Sequence, residues 1–183
     1  LIIAESVREN FCLDKVLFIP SGRPPHKHGR EVIAAEHRFE MVRLAVESNP
    51  YFEASGVEIG KEGYTYTINT MKLLREQYGK DTNLYFIIGA DNIPELETWK
   101  DFKDIFKLCE FIAVLRPGHA RNSFEKEISY LRMNYKFRVH LIEAPLIDIS
   151  SSDIRNRLST GKSIKYLVPE KVEEYIRTKG LYI

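Results

Sequence analysis

Leu84-Tyr85-Phe86-Ile87-Ile88-Gly89 decides the fold class of this chain. The apolar residues run without alternation and stop at a glycine, the pattern of a strand covered on both faces rather than one face. Phe111-Ile112-Ala113-Val114-Leu115, halted by Pro117-Gly118, repeats it, as does Lys15-Val16-Leu17-Phe18-Ile19 before Pro20. Phe52–Ile59 alternates loosely enough for a strand, and a short one is expected near Arg138–Ile142. Between these runs the apolar spacing changes to that of helices. Phe39, Val42, Ala45 and Val46 mark one over Glu36–Glu47. Ile68, Met71, Leu74 and Tyr78 mark another, with Thr65 or Thr67 as its cap. Ile128 and Leu131 mark a third after Ser123, and a last helix runs from Pro169 to Lys179. Pro169 suits its first position, and Gly180 suits the residue past its end. Strands alternating with helices give an α/β fold, a parallel sheet with helices on both faces. The opening Leu1-Ile2-Ile3-Ala4-Glu5-Ser6-Val7 already reads as helix, so a strand is expected ahead of Leu1.

Composition narrows the function. The 183 residues suit one domain, with 44% hydrophobic and 29% charged residues, as in a soluble globular protein. No apolar run spans a bilayer and no signal peptide is visible, so neither a membrane partner nor export is expected. The net charge of +1 argues against a general nucleic-acid binder. Cys12 and Cys109 lack metal-ligand spacing and are expected to be half-buried, inert packing residues in a reducing cytoplasm. No metal site is expected.

In open parallel sheets ligands bind beyond the carboxyl ends of the strands, and the suggestive residues gather there. Pro20-Ser21-Gly22-Arg23-Pro24-Pro25-His26-Lys27 follows one strand, and its prolines stiffen a basic segment that includes His28 and Arg30. A solvated loop is the bland alternative. Zinc on His26-x-His28 lacks a third ligand. Gly89-Ala90-Asp91 follows a second strand: the glycine permits close approach, and the carboxylate suits ribose hydroxyls. Arg116-Pro117-Gly118 follows a third. Gly63-Tyr64-Thr65-Tyr66-Thr67 leads into a helix whose free N–H groups suit an anion, or is simply a capped turn. Trp99 offers a flat ring for stacking or for ordinary packing. Ile149-Ser150-Ser151-Ser152-Asp153-Ile154-Arg155 reads as a phosphate cradle, with Ser151 or Ser152 capping a helix and Arg155 adding a forked cation. Asp153 cuts the other way, because a first-turn carboxylate repels an anion. An ordinary capped surface helix explains these residues equally well.

Taken in order, the Pro20–Lys27 segment, Arg38-Phe39-Glu40-Met41, Gly63–Thr67, Ile88-Gly89-Ala90-Asp91, Trp99, Arg116-Pro117-Gly118, Ile149–Arg155 and Tyr166-Leu167-Val168-Pro169 resemble the bacterial nicotinate-nucleotide adenylyltransferases. The resemblance implies a Rossmann-like nucleotidyltransferase fold, a single domain over residues 1–183, and the joining of ATP to nicotinate mononucleotide for NAD biosynthesis. It implies that Gly89 and Asp91 line the adenosine site and that Ser151, Ser152 and Arg155 hold the triphosphate, with Arg116 nearby. His26 and Lys27 would lie over the phosphates, Trp99 would stack on the pyridine ring, and Tyr66-Thr67 would meet its carboxylate. Mg²⁺ would arrive on ATP; homo-oligomers remain compatible with it. The family's His-x-Gly-His motif is absent, so its catalytic histidines are expected upstream of Leu1, in a chain truncated at its N-terminus. Two alternatives stay open: a related transferase acting on another phosphorylated acceptor, and a non-catalytic nucleotide-binding protein.

Overall fold

The computed structural model describes residues 1–23, 33–115, 124–143, 145 and 149–183. In chain order the elements are α1 (Ile2–Asn10), β1 (Val16–Phe18), α2 (Ala35–Val46), β2 (Phe52–Ala54), α3 (Thr67–Tyr78), β3 (Tyr85–Gly89), a 3-10 helix (Ala90–Thr98), α4 (Phe102–Leu108), β4 (Glu110–Leu115), α5 (Glu125–Tyr135), β5 (Val139–Glu143), α6 (Ser151–Ser159) and α7 (Glu170–Thr178). Every described strand pair is parallel, as the apolar runs required, in two ladders ordered β1-β2 and β3-β4-β5. Among the described residues no helix is long and apolar enough to cross a membrane. The chain divides into two compact units: Leu1 with Leu13–Tyr64 and Ile147–Ile183, and Ile2–Cys12 with Thr65–Leu146.

In the second unit β4 lies between β3 and β5, with Phe111 paired to Phe86 on one side and Val139 on the other. Phe111 to Leu115 are all buried. Burial on both faces explains why this strand shows no alternation. Packed rings fill the space around its first turn of residues. Phe111 lies 5.6 Å from Phe86, 5.5 Å from Phe106 and 5.1 Å from Phe137, in tilted or edge-on geometries that suit aromatic quadrupoles. Ile68, Met71 and Leu74 of α3 and Ile128 and Leu131 of α5 are buried, as their helical spacing predicts. β3 departs from expectation: only Ile88 is fully buried, and Tyr85, Phe86 and Ile87 are half-buried.

The first unit packs α2, α6 and α7 on one apolar cluster. Leu158, Ile164, Val172, Ile176 and Leu181 form its centre, with Ile33, Met41, Leu44, Ile154, Tyr175 and Tyr182 packed against it. The C-terminus closes that cluster through the end of α7. Gly180 adopts φ +60°, Leu181 N–H donates to the Ile176 carbonyl at 3.0 Å, and Gly180 N–H donates to Arg177 at 3.2 Å. This paired helix-ending arrangement needs a left-handed residue, which glycine supplies without strain. It brings Leu181 onto Ile176, so the expected role of Gly180 holds.

Several boundaries shift. Pro169 stands one residue ahead of α7, and its carbonyl accepts from Val172 and Glu173. The strand expected over Phe52–Ile59 stops at Ala54, because the chain turns with Ile59 N–H donating to Gly56. Tyr66, not Thr65 or Thr67, occupies the cap position of α3. The cysteines are not half-buried: Cys12 is exposed, whereas Cys109 is buried and desolvation pushes its thiol up to about 12. A thiol held so far from its thiolate is chemically quiet, so Cys109 packs.

Candidate functional site

Gly89 ends β3, and the chain passes without a break into the 3-10 helix that carries Asp91 in its first turn. The backbone of Gly89 is ordinary extended chain, so the reason for glycine is space. A Cβ there would collide with the Asp91 carboxylate, which folds back across the strand end. Asn92 donates to the Gly89 carbonyl at 3.3 Å. The carboxylate therefore lies at the carboxyl end of a parallel strand, where such sheets bind ligands.

Trp99 follows the same 3-10 helix, and its N–H donates to Leu96 at 3.1 Å. Its indole meets Phe86 edge-on at 5.7 Å and is half-buried, so ring surface remains accessible. Tyr66 and Thr67 open α3: the Asn69 and Thr70 N–H groups donate to the Tyr66 carbonyl at 3.0 and 3.3 Å, and the N–H groups of Thr67 and Ile68 ahead of them have no acceptor within the helix. The Lys100 ammonium sits 4.4 Å from the Tyr66 ring centroid. The second unit therefore brings the residue after Trp99 onto the ring at the start of α3, although 34 positions separate them in sequence (100 − 66). Sequence reading missed Lys100, because nothing local marks a contact made only by folding.

In the first unit α6 begins one residue earlier than expected. Ser150 is the cap: its Oγ accepts from Asp153 N–H at 3.0 Å and its carbonyl from Ile154 N–H at 3.1 Å. Ser151 and Ser152 thus form the first turn, exposed, with N–H groups directed out of the helix end. The objection posed by Asp153 is met by Arg157, whose Nε donates to its carboxylate at 2.8 Å one turn on. Arg155 is exposed and donates to Ser152 Oγ at 3.3 Å. A helix start, two hydroxyls and a cation not committed to Asp153 have the chemistry to receive an anion. Burial pushes the Tyr182 phenol up, while the cations of Arg155 and Arg38 pull against that shift.

His26, Lys27 and Arg116 lie outside the described residues. Gly89, Asp91, Tyr66, Thr67 and Trp99 belong to the second unit, and Ser151, Ser152 and Arg155 to the first. Among the described residues no three His, Cys, Asp or Glu side chains gather as a metal cage would.

The cytidylyltransferase-like family model matches residues 1–157. A probable nicotinate-nucleotide adenylyltransferase of Moorella thermoacetica is 51% identical over 182 residues, covering 100% of this chain and 84% of the relative. Another from Thermoanaerobacter sp. is 47% identical over 100% of this chain and 86% of its own length. In fold, the chain is similar to the Plasmodium falciparum nicotinic acid mononucleotide adenylyltransferase complexed with NaAD. The TM-score is 0.76 at 18% identity, over 98% of this chain and 88% of that one.

Proposed function

We infer that this chain, which belongs to the cytidylyltransferase-like family, has nicotinate-nucleotide adenylyltransferase activity and serves NAD biosynthesis. The observation that carries the reading is 51% identity across the whole chain to a relative of that name. The substrates are ATP and nicotinate mononucleotide. A phosphate oxygen of the mononucleotide attacks the α-phosphorus of ATP in line, and the bond to the β-phosphoryl oxygen breaks. Pyrophosphate leaves with that electron pair, and nicotinate adenine dinucleotide remains. No covalent enzyme intermediate is required, so the residues contribute positioning and charge stabilisation.

Local geometry supports the parts assigned to the described residues; those of Arg116, His26 and Lys27 rest on the resemblance alone. Asp91, folded back across Gly89 at the strand end, suits the ribose hydroxyls of ATP. Ser151, Ser152 and Arg155 suit its triphosphate, with Arg116, His26 and Lys27 adding charge. Trp99 stacks on the pyridine ring, and the α3 N–H groups at Tyr66-Thr67 receive its carboxylate, with the Lys100 ammonium over the Tyr66 ring favouring an anion there. Mg²⁺ belongs to the substrate, bound to ATP phosphates rather than to a protein cage. A cytoplasmic setting goes with this reading.

The test is pyrophosphate release by the full-length protein, with the His-x-Gly-His segment in place, from ATP with the nicotinate or the nicotinamide mononucleotide. N–H groups at a helix start donate to a carboxylate and oppose an amide NH₂. The nicotinate form is expected to be used at least about tenfold more efficiently, equivalent to about 1.4 kcal/mol. No turnover with either would overturn the function, and equal efficiency would overturn the carboxylate site. Trp99→Ala is expected to weaken mononucleotide binding by roughly 1–3 kcal/mol, the range of base stacking on aromatic side chains, and ATP binding far less. Calorimetry with each ligand checks this; equal losses would remove the stacking assignment.

A further inference from the structure

The amino ends of the strands in the second unit carry positive charge that the mechanism above does not use. Glu110 N–H donates to the Leu84 carbonyl at 3.0 Å and Phe111 N–H to the Arg138 carbonyl at 2.8 Å, so Leu84, Glu110 and Arg138 stand level at that edge of β3-β4-β5. A cavity of about 390 Å³ opens there, with Arg75, Lys80, Lys107 and Arg138 in its wall and Glu110 as its carboxylate. That carboxylate is already engaged twice: Arg138 Nη1 lies 2.9 Å from one oxygen and His140 Nε2 lies 2.8 Å from the other. Arg75, from α3, is fixed in place. Its Nη1 donates to the Gly79 and Thr82 carbonyls at 2.9 and 2.7 Å, and its Nη2 to the Leu108 carbonyl at 2.6 Å. These bonds tie the turn before β3 to the end of α4 and keep a permanent cation in the wall. Lys107 pairs with Asp104 at 2.7 Å, an exposed link of small worth in water. Among the described residues the Lys80 ammonium has no carboxylate partner.

We propose that this cavity is a second anion site, taking a small phosphorylated ligand of the di- or triphosphate class. Four cations and the Asn83 amide line one concave space, and its carboxylate is already engaged. The complement of such a wall is a multiply charged group with many oxygen acceptors, bound through charge-assisted hydrogen bonds. The volume falls within the range of small-molecule pockets, which suits a compact polyphosphate. Position separates this site from the substrate site. From Leu84 to Gly89 the strand runs about 17 Å at the usual rise per residue, and Asp91 stands beyond the far end. The inference does not depend on the reaction proposed above.

Titration of the full-length protein with inorganic pyrophosphate, followed residue by residue through backbone amide NMR shifts, tests the site. Saturable shifts are expected at Asn83, Leu84, Lys107 and Glu110, apart from any at Asp91 or in α6. Sodium chloride at matched ionic strength is expected not to reproduce them, since it only screens exposed charge. Lys80→Ala/Lys107→Ala removes two exposed ammonium groups and is expected to weaken the pocket's affinity at least about tenfold, with the thermal midpoint and the turnover of the parent. Arg138→Gln, a second variant at an exposed side chain that leaves Glu110 with His140, is expected to weaken it likewise. Absence of saturable pocket shifts, the same shifts with sodium chloride, or parent affinity in both variants would overturn the site. Shifts confined to Asp91 or α6 would overturn it too, while leaving the proposed reaction untouched. Loss of turnover in folded Lys80→Ala/Lys107→Ala would overturn its separation from the catalytic site.

Discussion

Phe111→Ala is expected to lower the unfolding free energy by about 3–5 kcal/mol, the usual range for emptying a buried phenylalanine site. Three conditions put it toward the upper end. The side chain is fully buried. Its strand is hydrogen-bonded on both sides, so the backbone is poorly placed to collapse into the void. Its neighbours Phe86, Phe106 and Phe137 are rigid rings, Phe106 and Phe137 packed on each other at 4.6 Å, and relax less readily than aliphatic chains. At roughly 2–4 °C per kcal/mol for a chain of this size, the thermal midpoint should fall by about 10 °C. Phe111→Leu should lose much less. Because Phe111 lies near the start of β4, away from the strand's carboxyl end, the folded fraction should keep its turnover. Urea unfolding with an activity assay below the transition checks both; a loss under about 1 kcal/mol would show that the ring cluster is not the centre of this unit.

The same strand shows what was legible in the sequence. Unbroken apolar character from Phe111 to Leu115 announced burial on both faces and hence parallel pairing. Leu84–Ile88 looked alike, yet β3 is only half-covered, because composition reports what a strand tolerates and not what packs on it. Helices with clean spacing, such as Ile68-Met71-Leu74, were readable to within a residue or two. The 3-10 helix and α4 gave no such signal: Pro94 interrupts the first, and Phe102-Ile105-Phe106 is too short to establish a period. Capping was misread by one position at Ser150 because three adjacent serines offer equivalent hydroxyls, and only backbone geometry selects among them. Candidate site residues are legible where motifs are local, as at Gly89-Ala90-Asp91. Lys100 over the Tyr66 ring is not, since that contact joins positions that sequence separates.

Arg155→Ala is expected to reduce kcat/KM for ATP on the order of 10²–10³-fold, the scale for removing one donor that stabilises developing charge. The reasoning starts from what the side chain does not do for the fold. Arg155 is exposed, and among the described residues its hydrogen bond is a long one to Ser152 Oγ within its own first turn. A surface substitution of that kind should change stability by no more than about 0.5 kcal/mol. Ser150→Ala makes the opposite control: it removes the cap of α6 at a cost of about 1 kcal/mol while leaving Ser151, Ser152 and Arg155 in place. If α6 serves the triphosphate, losses in turnover should follow Arg155 and losses in stability should follow Ser150. Arg155→Lys should recover part of the rate, because an ammonium restores charge but not the bidentate fork. Mononucleotide binding should be nearly untouched in all three variants. Unaltered ATP kinetics in Arg155→Ala would remove α6 from the active site and leave Ser150-Ser151-Ser152 as an ordinary helix start.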